Sequence, residues 1–292
     1  MSARPGRVVA TRGRRVVVAD DEGERTCFLA GRRAVVGDRV HWVEARGEGG
    51  KLVSVGPRET ALVRADARGR EQVLAANLTG IAIITAPKQP PFRAGLLDRY
   101  VVAAAIGGLT SCVVLNKVDQ GVSDEVERAL RVREAAGVVV LRTSVPDAHG
   151  IDALAEQLQD GTYALVGHSG VGKTSLAQAL LPQVDVGEIG DLSEHWGTGQ
   201  HTTTSSRIFS LPNGGELVDS PGIRTFAPGR LSASDVRQYF PMMQGLACKF
   251  RDCLHREGEQ GCVAPDEIDP DLLASYRRLL HEIIALDDLR AP

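Results

Sequence analysis

Aromatic residues are scarce in this 292-residue chain, making up only 4% of it, so valine, leucine, alanine and isoleucine must fill its cores. Long hydrophobic runs are absent too, since no stretch approaches the roughly 18 apolar residues of a membrane-spanning helix. No apolar segment typical of a signal peptide follows Met1. We therefore expect a cytoplasmic protein that acts without a membrane and whose thiols stay reduced.

Neither sign of charge is in large excess, because the formal net charge is −3. Residues 1–60 are nevertheless basic, with 12 lysines and arginines against 8 acidic residues. A basic first module on an acidic body predicts either weak nucleic-acid contact by that module or simply a solvated arginine-rich surface.

The length predicts about two domains of roughly 150 residues, or three if some are small. Residues 7–56 alternate short valine-rich runs with turn signals, about five strands in all, which predicts a small β-barrel. An OB-fold fits this count, and an SH3-like barrel is the alternative. The polar stretch from Arg64 to Gln72 is predicted to be a linker.

From residue 80 onward, continuous apolar strands alternate with helical segments, which is typical of a parallel sheet covered on both faces. This pattern stops near residue 230, and Asp269-Pro270 then predicts the start of a helix. The fold class is therefore multidomain α/β. We place the barrel at residues 1–58, the α/β domain at 59–229 and a C-terminal α domain at 230–292.

Residues 167–174 match the phosphate-loop pattern G-x-x-x-x-G-K-[ST] in full, between a predicted strand and a predicted helix. Glycines let backbone N–H groups surround phosphate oxygens, and Lys173 is expected to bridge the β- and γ-phosphates while Thr174 ligates Mg²⁺. The residues predicted here to bind the nucleotide are Gly167, His168, Ser169, Gly170, Val171, Gly172, Lys173, Thr174 and Ser175.

Two further segments are predicted to sense the γ-phosphate. Asp219 ends a predicted strand and is expected to hold Mg²⁺ through water, and the N–H of Gly222 to meet the γ-phosphate. A glycine-containing, apolar-poor loop precedes them and ends in a histidine followed by three threonines, one of which is expected to complete the Mg²⁺ shell. The sequence does not say which of these threonines does so: Thr202, Thr203 or Thr204.

The tetrapeptide Asn116-Lys117-Val118-Asp119 directly follows a predicted strand and has the composition of a guanine-reading loop. The Asp119 carboxylate can accept hydrogen bonds from guanine N1–H and from the exocyclic amine of guanine. Adenine has no donor at either of these positions. Asn116 is expected to tie the loop together, the stem of Lys117 to cover the base, and Ser144 to support the guanine carbonyl.

These motifs occur in an unusual order, because a G domain normally has its phosphate loop before its base-reading loop. The chain is therefore predicted to contain a circularly permuted P-loop GTPase domain that binds GTP and GDP with Mg²⁺. The permutation puts Gly222 shortly before a Cys/His cluster, so we expect movement at Gly222 to swing that cluster. A P-loop kinase or ATPase is one alternative, against which the tetrapeptide Asn116 to Asp119 argues. A nucleic-acid-binding scaffold with a structural nucleotide is another, against which Lys173, Thr174 and Asp219 argue.

No glutamine follows Gly222, although many G domains place a water-orienting glutamine there. The next residue is Ile223, whose side chain cannot orient water, so intrinsic hydrolysis is expected to be slow or to use another group. His201 is the nearest candidate catalytic residue, and a solvated loop histidine is the equal alternative.

A second chemical signal lies near the C-terminus, where three cysteines and a histidine fall close together as Cys248-x4-Cys253-x-His255-x6-Cys262. A closed set of three thiolates and one imidazole suits one structural Zn²⁺. The remaining cysteines, Cys27 and Cys112, lie in strand-like runs and are predicted to be buried apolar residues.

The permuted motif order, the segment 199–204, the Asp219 motif and the Cys/His spacing together resemble the ribosome small subunit-dependent GTPase A family, of the RsgA/YjeQ type. The resemblance covers nearly the whole chain. It implies an OB-fold, a GTPase domain and a zinc domain, with binding to the small ribosomal subunit and its rRNA. It also implies a role in late subunit maturation, GTP hydrolysis stimulated by the subunit, and hydrolytic assistance by His201. We expect a monomer.

Replacing Asp119 with asparagine tests the base assignment. We expect GTP affinity to fall about 100-fold, because two hydrogen bonds to a charged acceptor are lost. Xanthosine triphosphate should bind better to Asp119→Asn than to the wild type, since the new amide donates to its 2-oxo group. Competition with a fluorescent nucleotide measures both affinities, and an unchanged preference would refute the guanine assignment.

Overall fold

The computed structural model describes residues 2–45, 49–65, 71–184, 206–219, 231–240 and 243–288. Its N-terminal part is a five-stranded barrel. The strands are β1 (Arg4–Arg12), β2 (Arg15–Asp20), β3 (Gly23–Phe28), β4 (Arg39–Glu44) and β5 (Gly50–Val55).

The barrel closes in the order β1-β2-β3-β5-β4-β1, with β3 and β5 parallel and the other pairs antiparallel. This order confirms the OB-fold over the SH3-like alternative. Because alternate side chains of each strand face the barrel interior, one buried cluster contains Val8, Val16, Val18, Trp42 and Leu52.

The predicted linker from Arg64 to Gln72 is wrong at both ends. Arg64 lies in β6 (Ala61–Ala65) and Gln72 in β7 (Glu71–Ala76), and the two residues face each other in an antiparallel pair. The prediction took polar residues as the mark of a linker. In this two-stranded sheet, however, only one face is buried, where Leu62 is 1% exposed, so polar residues occupy the other face. Tertiary packing therefore decided for strands.

The central domain is a parallel sheet covered by helices. Its strands are β8 (Gly80–Thr85), β9 (Thr110–Asn116), β10 (Val139–Thr143), β11 (Thr162–Val166), β12 (Ser206–Ser210) and β13 (Glu216–Asp219). Its helices are α1 (Ala94–Ile106), α2 (Asp124–Ala135), α3 (Ile151–Leu158) and α4 (Lys173–Leu180). The strand order is β10-β9-β8-β11-β13-β12, and only β12 runs antiparallel to its neighbour β13.

The two sheets are continuous, because β12 also pairs with β1 of the barrel. Side chains reinforce this junction: Arg7 on β1 donates to Glu216 Oε2 at 2.6 Å and to Thr162 Oγ1 at 3.0 Å. The strand that follows residues 185–205 is thus held by the barrel as well as by the α/β domain.

The C-terminal part contains α5 (Val236–Tyr239), α6 (Ala264–Glu267) and α7 (Pro270–Asp288). The predicted start of α7 is confirmed, and Asp269 Oδ1 accepts from the Asp271 amide at 2.9 Å. The apolar stripe of α7, including Leu273 and Tyr276, packs in one cluster with Val102 of α1. Among the described helices, none combines the length and the apolar character that crossing a bilayer requires.

A buried ion pair joins α1 to α2. Arg133 is 1% exposed, and its Nε and Nη2 donate to the two carboxylate oxygens of Asp98 at 2.8 and 2.6 Å. The third donor, Nη1, reaches the Ala129 carbonyl at 2.7 Å. With geometry this complete, the pair is expected to fix how α1 sits against α2.

Removing one partner of this pair should destabilise the protein strongly. We expect Arg133→Met to lower the free energy of unfolding by about 3–5 kcal/mol, because it leaves the Asp98 carboxylate buried and unpaired. The control is Arg131→Met, whose arginine is 73% exposed and which should change stability by less than about 0.5 kcal/mol. Urea unfolding followed by circular dichroism measures both, and equal losses would contradict the prediction.

Candidate nucleotide site and metal centre

The predicted nucleotide-binding residues that the structure describes lie at one edge of the parallel sheet. The base-reading loop follows β9, Ser144 follows β10, the phosphate loop follows β11, and Asp219 ends β13. These strands are all parallel, so their carboxyl ends meet at the same edge, which is where open α/β sheets bind ligands.

Asn116 ties three of these segments together. It is 2% exposed, and its Nδ2 donates to the carbonyl of Val171 in the phosphate loop at 2.9 Å. Its Oδ1 accepts from Thr143 Oγ1 at 3.0 Å. A buried amide satisfied on both sides fixes the spacing of the loops that carry its partners.

Two lysines donate to backbone carbonyls at this edge, one between loops and one within the phosphate loop. Lys117 has a left-handed backbone, and its Nζ donates to the carbonyls of Gly170 at 2.6 Å and Gln89 at 3.2 Å. Its stem therefore runs from the base-reading loop to the phosphate loop. Lys173 opens α4, and its Nζ donates to the carbonyls of Gly167 and His168, both at 2.9 Å. The ammonium group consequently sits over the phosphate loop.

The phosphate loop needs its glycines for space as well as conformation. Gly172 has φ 94°, and a Cβ there would lie 2.4 Å from Asn116 Nδ2. Gly167 has φ 142°, and a Cβ would lie 2.2 Å from the Ile84 carbonyl. Any larger residue would separate the loop from the strands that position it. His168, Ser169, Gly170 and Ser175 are exposed, whereas Val171 is buried and Lys173 and Thr174 are half-buried.

The predicted base-support residue lies against the base-reading carboxylate. Ser144 is fully buried, and its Oγ lies 2.8 Å from Asp119 Oδ1 and 3.0 Å from Asp147 Oδ2. The hydroxyl donates to one carboxylate at a time and so helps to orient Asp119. Val118 and Asp119 form a short 3-10 turn after Lys117.

The remaining predicted residues are those expected to bind Mg²⁺ and the γ-phosphate or to assist hydrolysis. His201, Thr202, Thr203, Thr204 and Gly222 lie outside the described residues, as do residues 223–230, the first part of the segment expected to couple Gly222 to the metal centre. Asp219 is described as the last residue of β13, beside β11. The roles assigned to these residues stay predictions.

The four predicted metal ligands do converge. Their ligand atoms lie within 4.8 Å of one another, and His255 Nδ1 is 3.5, 3.5 and 3.4 Å from the sulfurs of Cys248, Cys253 and Cys262. A tetrahedral zinc ion holds nitrogen and sulfur ligands about 3.6 Å apart, given its usual bond lengths. Burial raises the pKa of the Cys253 thiol to about 12 and lowers the pKa of His255. A divalent cation is what would favour the thiolate in such a place, so the donor set fits one structural zinc.

Neighbouring side chains hold the ligand loop in shape. His255 has a left-handed backbone with φ 57°, and its carbonyl accepts from Arg277 Nε of α7 at 2.9 Å. Tyr276 donates to the Leu254 carbonyl at 3.0 Å. Glu259 accepts from the amides of Leu254 at 3.1 Å and Arg256 at 2.8 Å. The loop is thereby attached to α7 independently of the ion.

A sequence model described as RsgA GTPase matches residues 55–228. The chain is also 40% identical to the small ribosomal subunit biogenesis GTPase RsgA of Azotobacter vinelandii over 94% of this chain and 84% of that protein. The protein of the same name from Pseudomonas fluorescens is 39% identical with the same coverage. The chain belongs to the RsgA GTPase family. This family is one of GTPases, which act on GTP with Mg²⁺.

Solved structures agree with the RsgA assignment. YjeQ from Thermotoga maritima superposes with a TM-score of 0.78 at 25% identity, covering 97% of this chain and 99% of that one. YloQ, described as a circularly permuted GTPase, gives a TM-score of 0.73 at 21% identity over 100% of this chain and 97% of that one, which supports the fold. The predicted permuted fold is therefore confirmed.

Sequence reasoning missed several residues that support these sites. Gln89 contacts Lys117 through its carbonyl, and a backbone contact of this kind leaves no signal in residue type. Asp147 was not singled out, although its place in the turn Val145-Pro146-Asp147 offered a signal. Glu259 was the easiest of the three to predict, because an acidic residue in a short glycine-containing metal loop often accepts hydrogen bonds from backbone amides.

Zinc content gives a direct test of the metal centre. We expect one zinc per purified chain, and Cys262→Ser should lose most of it because only three ligands remain. Cys27→Ala is the matched control, since Cys27 is buried in the barrel and should leave zinc content unchanged. Atomic emission measures the metal, and full zinc occupancy in Cys262→Ser would rule out the four-ligand assignment.

Proposed function

We propose that this protein is a GTPase that binds the small ribosomal subunit and acts in its late maturation, hydrolysing GTP to GDP and phosphate with stimulation by the subunit. The observation that carries the proposal is the junction at Asn116, which joins the base-reading and phosphate loops in one site. The relatives named small ribosomal subunit biogenesis GTPases, aligned over 94% of the chain, supply the biological setting.

In this proposal the base and the phosphates lie along one sheet edge. Asp119, oriented by Ser144, accepts from guanine, while Asn116 and Lys117 hold the loop that presents it. Lys173 turns its ammonium group to the β- and γ-phosphates, with the residues of the 167–175 segment around them, and Thr174 ligates Mg²⁺. Asp219 completes the Mg²⁺ site through water, one of Thr202–Thr204 adds a ligand, and the Gly222 amide meets the γ-phosphate.

His201 is proposed as the group that assists hydrolysis, because Ile223 stands where a water-orienting glutamine is common. The subunit would stimulate turnover by holding the histidine segment in place. This proposal is supported by the pairing of β12 with β1 of the barrel, because β12 begins only five residues after His201. A barrel seated on the subunit would therefore restrain one end of the segment.

The barrel is the part we propose to contact rRNA. Phe28 is 43% exposed, and the guanidinium of Arg15 lies 4.9 Å from its ring centroid. An exposed ring beside a cation suits an unpaired base and its phosphate. We retain domain bounds of 1–58, 59–229 and 230–292. We also propose a monomer, since the large exposed apolar side chains of the described residues lie in three separate parts of the molecule: Phe28 and Val53 on the barrel, Val139 on β10 and Phe250 in the C-terminal part. We propose that it acts in the cytoplasm.

Turnover measurements test this function. We expect slow GTP hydrolysis by the wild type alone, and a rise of about 100-fold or more with purified small subunits, as positioned catalytic groups typically give. His201→Ala should bind GTP normally but lose most of the stimulated rate. His281→Ala is a matched control, because that histidine is exposed on α7 and belongs to neither the nucleotide site nor the metal centre. No stimulation by subunits would overturn the proposal, and full stimulation of His201→Ala would remove that residue's role.

A further inference from the structure

A cleft of about 370 Å³ lies between the start of α1 and the middle of α7, where the α/β domain meets the C-terminal domain. None of the residues that line it belongs to the nucleotide site or the metal centre described above. Its walls carry three arginines, a serine and the first turn of α1.

The first turn of α1 presents its backbone to this cleft. The helix begins after Arg93 without a side-chain cap and without an acidic residue in its first turn. The first amides of a helix have no carbonyl partner one turn earlier, and they carry the positive end of the helix dipole. In α1 the Leu96 amide already donates to the Arg93 carbonyl at 3.0 Å, so the amides offered to a ligand are those of Ala94 and Gly95. A Cβ on Gly95 would lie 3.4 Å from Arg278 Nη2 and 3.5 Å from Ser275 Oγ. The guanidinium, the hydroxyl and the helix start therefore converge.

Ser275 supplies the independent sign of a ligand. Its residue is only 4% exposed, and it lines the cleft from α7. Within the described ranges its hydroxyl makes no hydrogen bond, not even to the carbonyl one turn earlier in its own helix. Its oxygen opens into the cleft instead, so an acceptor that enters the cleft can take its proton in a hydrogen bond.

The charge of the cleft selects an anion. Glu282 is already paired with Arg99, and Asp98 with Arg133. Arg93 and Arg278 form no ion pair with any residue in the described part of the chain. Two guanidinium groups therefore remain beside a positive helix end.

We propose that this cleft binds a phosphate group, held by Arg93, Arg278, Ser275 and the first amides of α1. A tetrahedral phosphate offers several oxygens to donors that approach from different directions, as these do, and helix starts with arginine are suited to it. The phosphate belongs either to the rRNA backbone or to a free phosphorylated small molecule. The first source rests on the proposed function, and the second does not.

Binding of inorganic phosphate tests the site on the full, zinc-loaded chain. A non-hydrolysable GTP analogue with Mg²⁺ is added in excess so that phosphate is kept out of the nucleotide site. Titration with ¹⁵N-glycine-labelled protein follows the Gly95 amide, with sodium chloride holding ionic strength constant. We expect a saturable shift in the wild type, weakened about 10-fold in Arg278→Gln and about 5-fold in Ser275→Ala.

Arg131→Gln is the matched control, because this arginine is 73% exposed on α2 and should leave phosphate binding unchanged. Affinity for the GTP analogue verifies that each variant is folded. If the wild type shows no saturable shift, or if Arg278→Gln and Ser275→Ala both bind phosphate like the control, the proposal is wrong.

Small-subunit binding then separates the two sources. A loss of subunit affinity in Arg278→Gln, absent in Arg131→Gln, identifies an rRNA phosphate. Saturable phosphate binding with unchanged subunit affinity identifies a free phosphorylated ligand. Failure of the proposed ribosomal function would leave the phosphate titration unaffected, so the two hypotheses are tested independently.

Discussion

The buried side chain of Asn116 is the contact on which the nucleotide site depends. It holds the Val171 carbonyl on one side and the Thr143 hydroxyl on the other, and thus three loops from three strands. The close approach of Gly172 to the same amide shows how little room the arrangement leaves. Because both polar ends of the amide are satisfied away from water, any shift of one loop would leave a buried donor or acceptor unpaired.

The hydrogen bonds of Asn116 join loops that the sheet has already brought together, so the order of the motifs along the chain has little effect on the chemistry. Parallel strands bring their carboxyl ends to one edge whichever strand comes first, so a permuted chain assembles the same site. The order does change what is attached to the site. The strand after residues 185–205 is shared with the barrel, and α7 of the C-terminal domain packs on α1. The barrel and the C-terminal domain therefore each contact the central domain directly, the first by strand pairing and the second by helix packing.

Much of the fold was predictable because local patterns were strong. Continuous apolar runs marked β8 and β9, and Ser123 capped α2 by accepting from the Val126 amide at 3.4 Å. The polar hairpin around residues 61–76 was missed, because its strands are defined by pairing and one-sided burial and not by composition. The ion pair of Arg133 and Asp98 was also missed, since residues 35 positions apart carry no local sign of their contact.

The sequence by itself determined which chemical groups are present: a phosphate-loop pattern, a carboxylate predicted to read guanine and four predicted zinc ligands, each recognisable because its residues are close in the chain. Only the tertiary structure decided which groups meet across long distances. It placed Ser144 against Asp119, Arg7 against Glu216, and Ser275 at the start of α1. The physical reason is that hydrogen bonds and charge pairing act between neighbours in space, and packing of helices and sheets sets those neighbours.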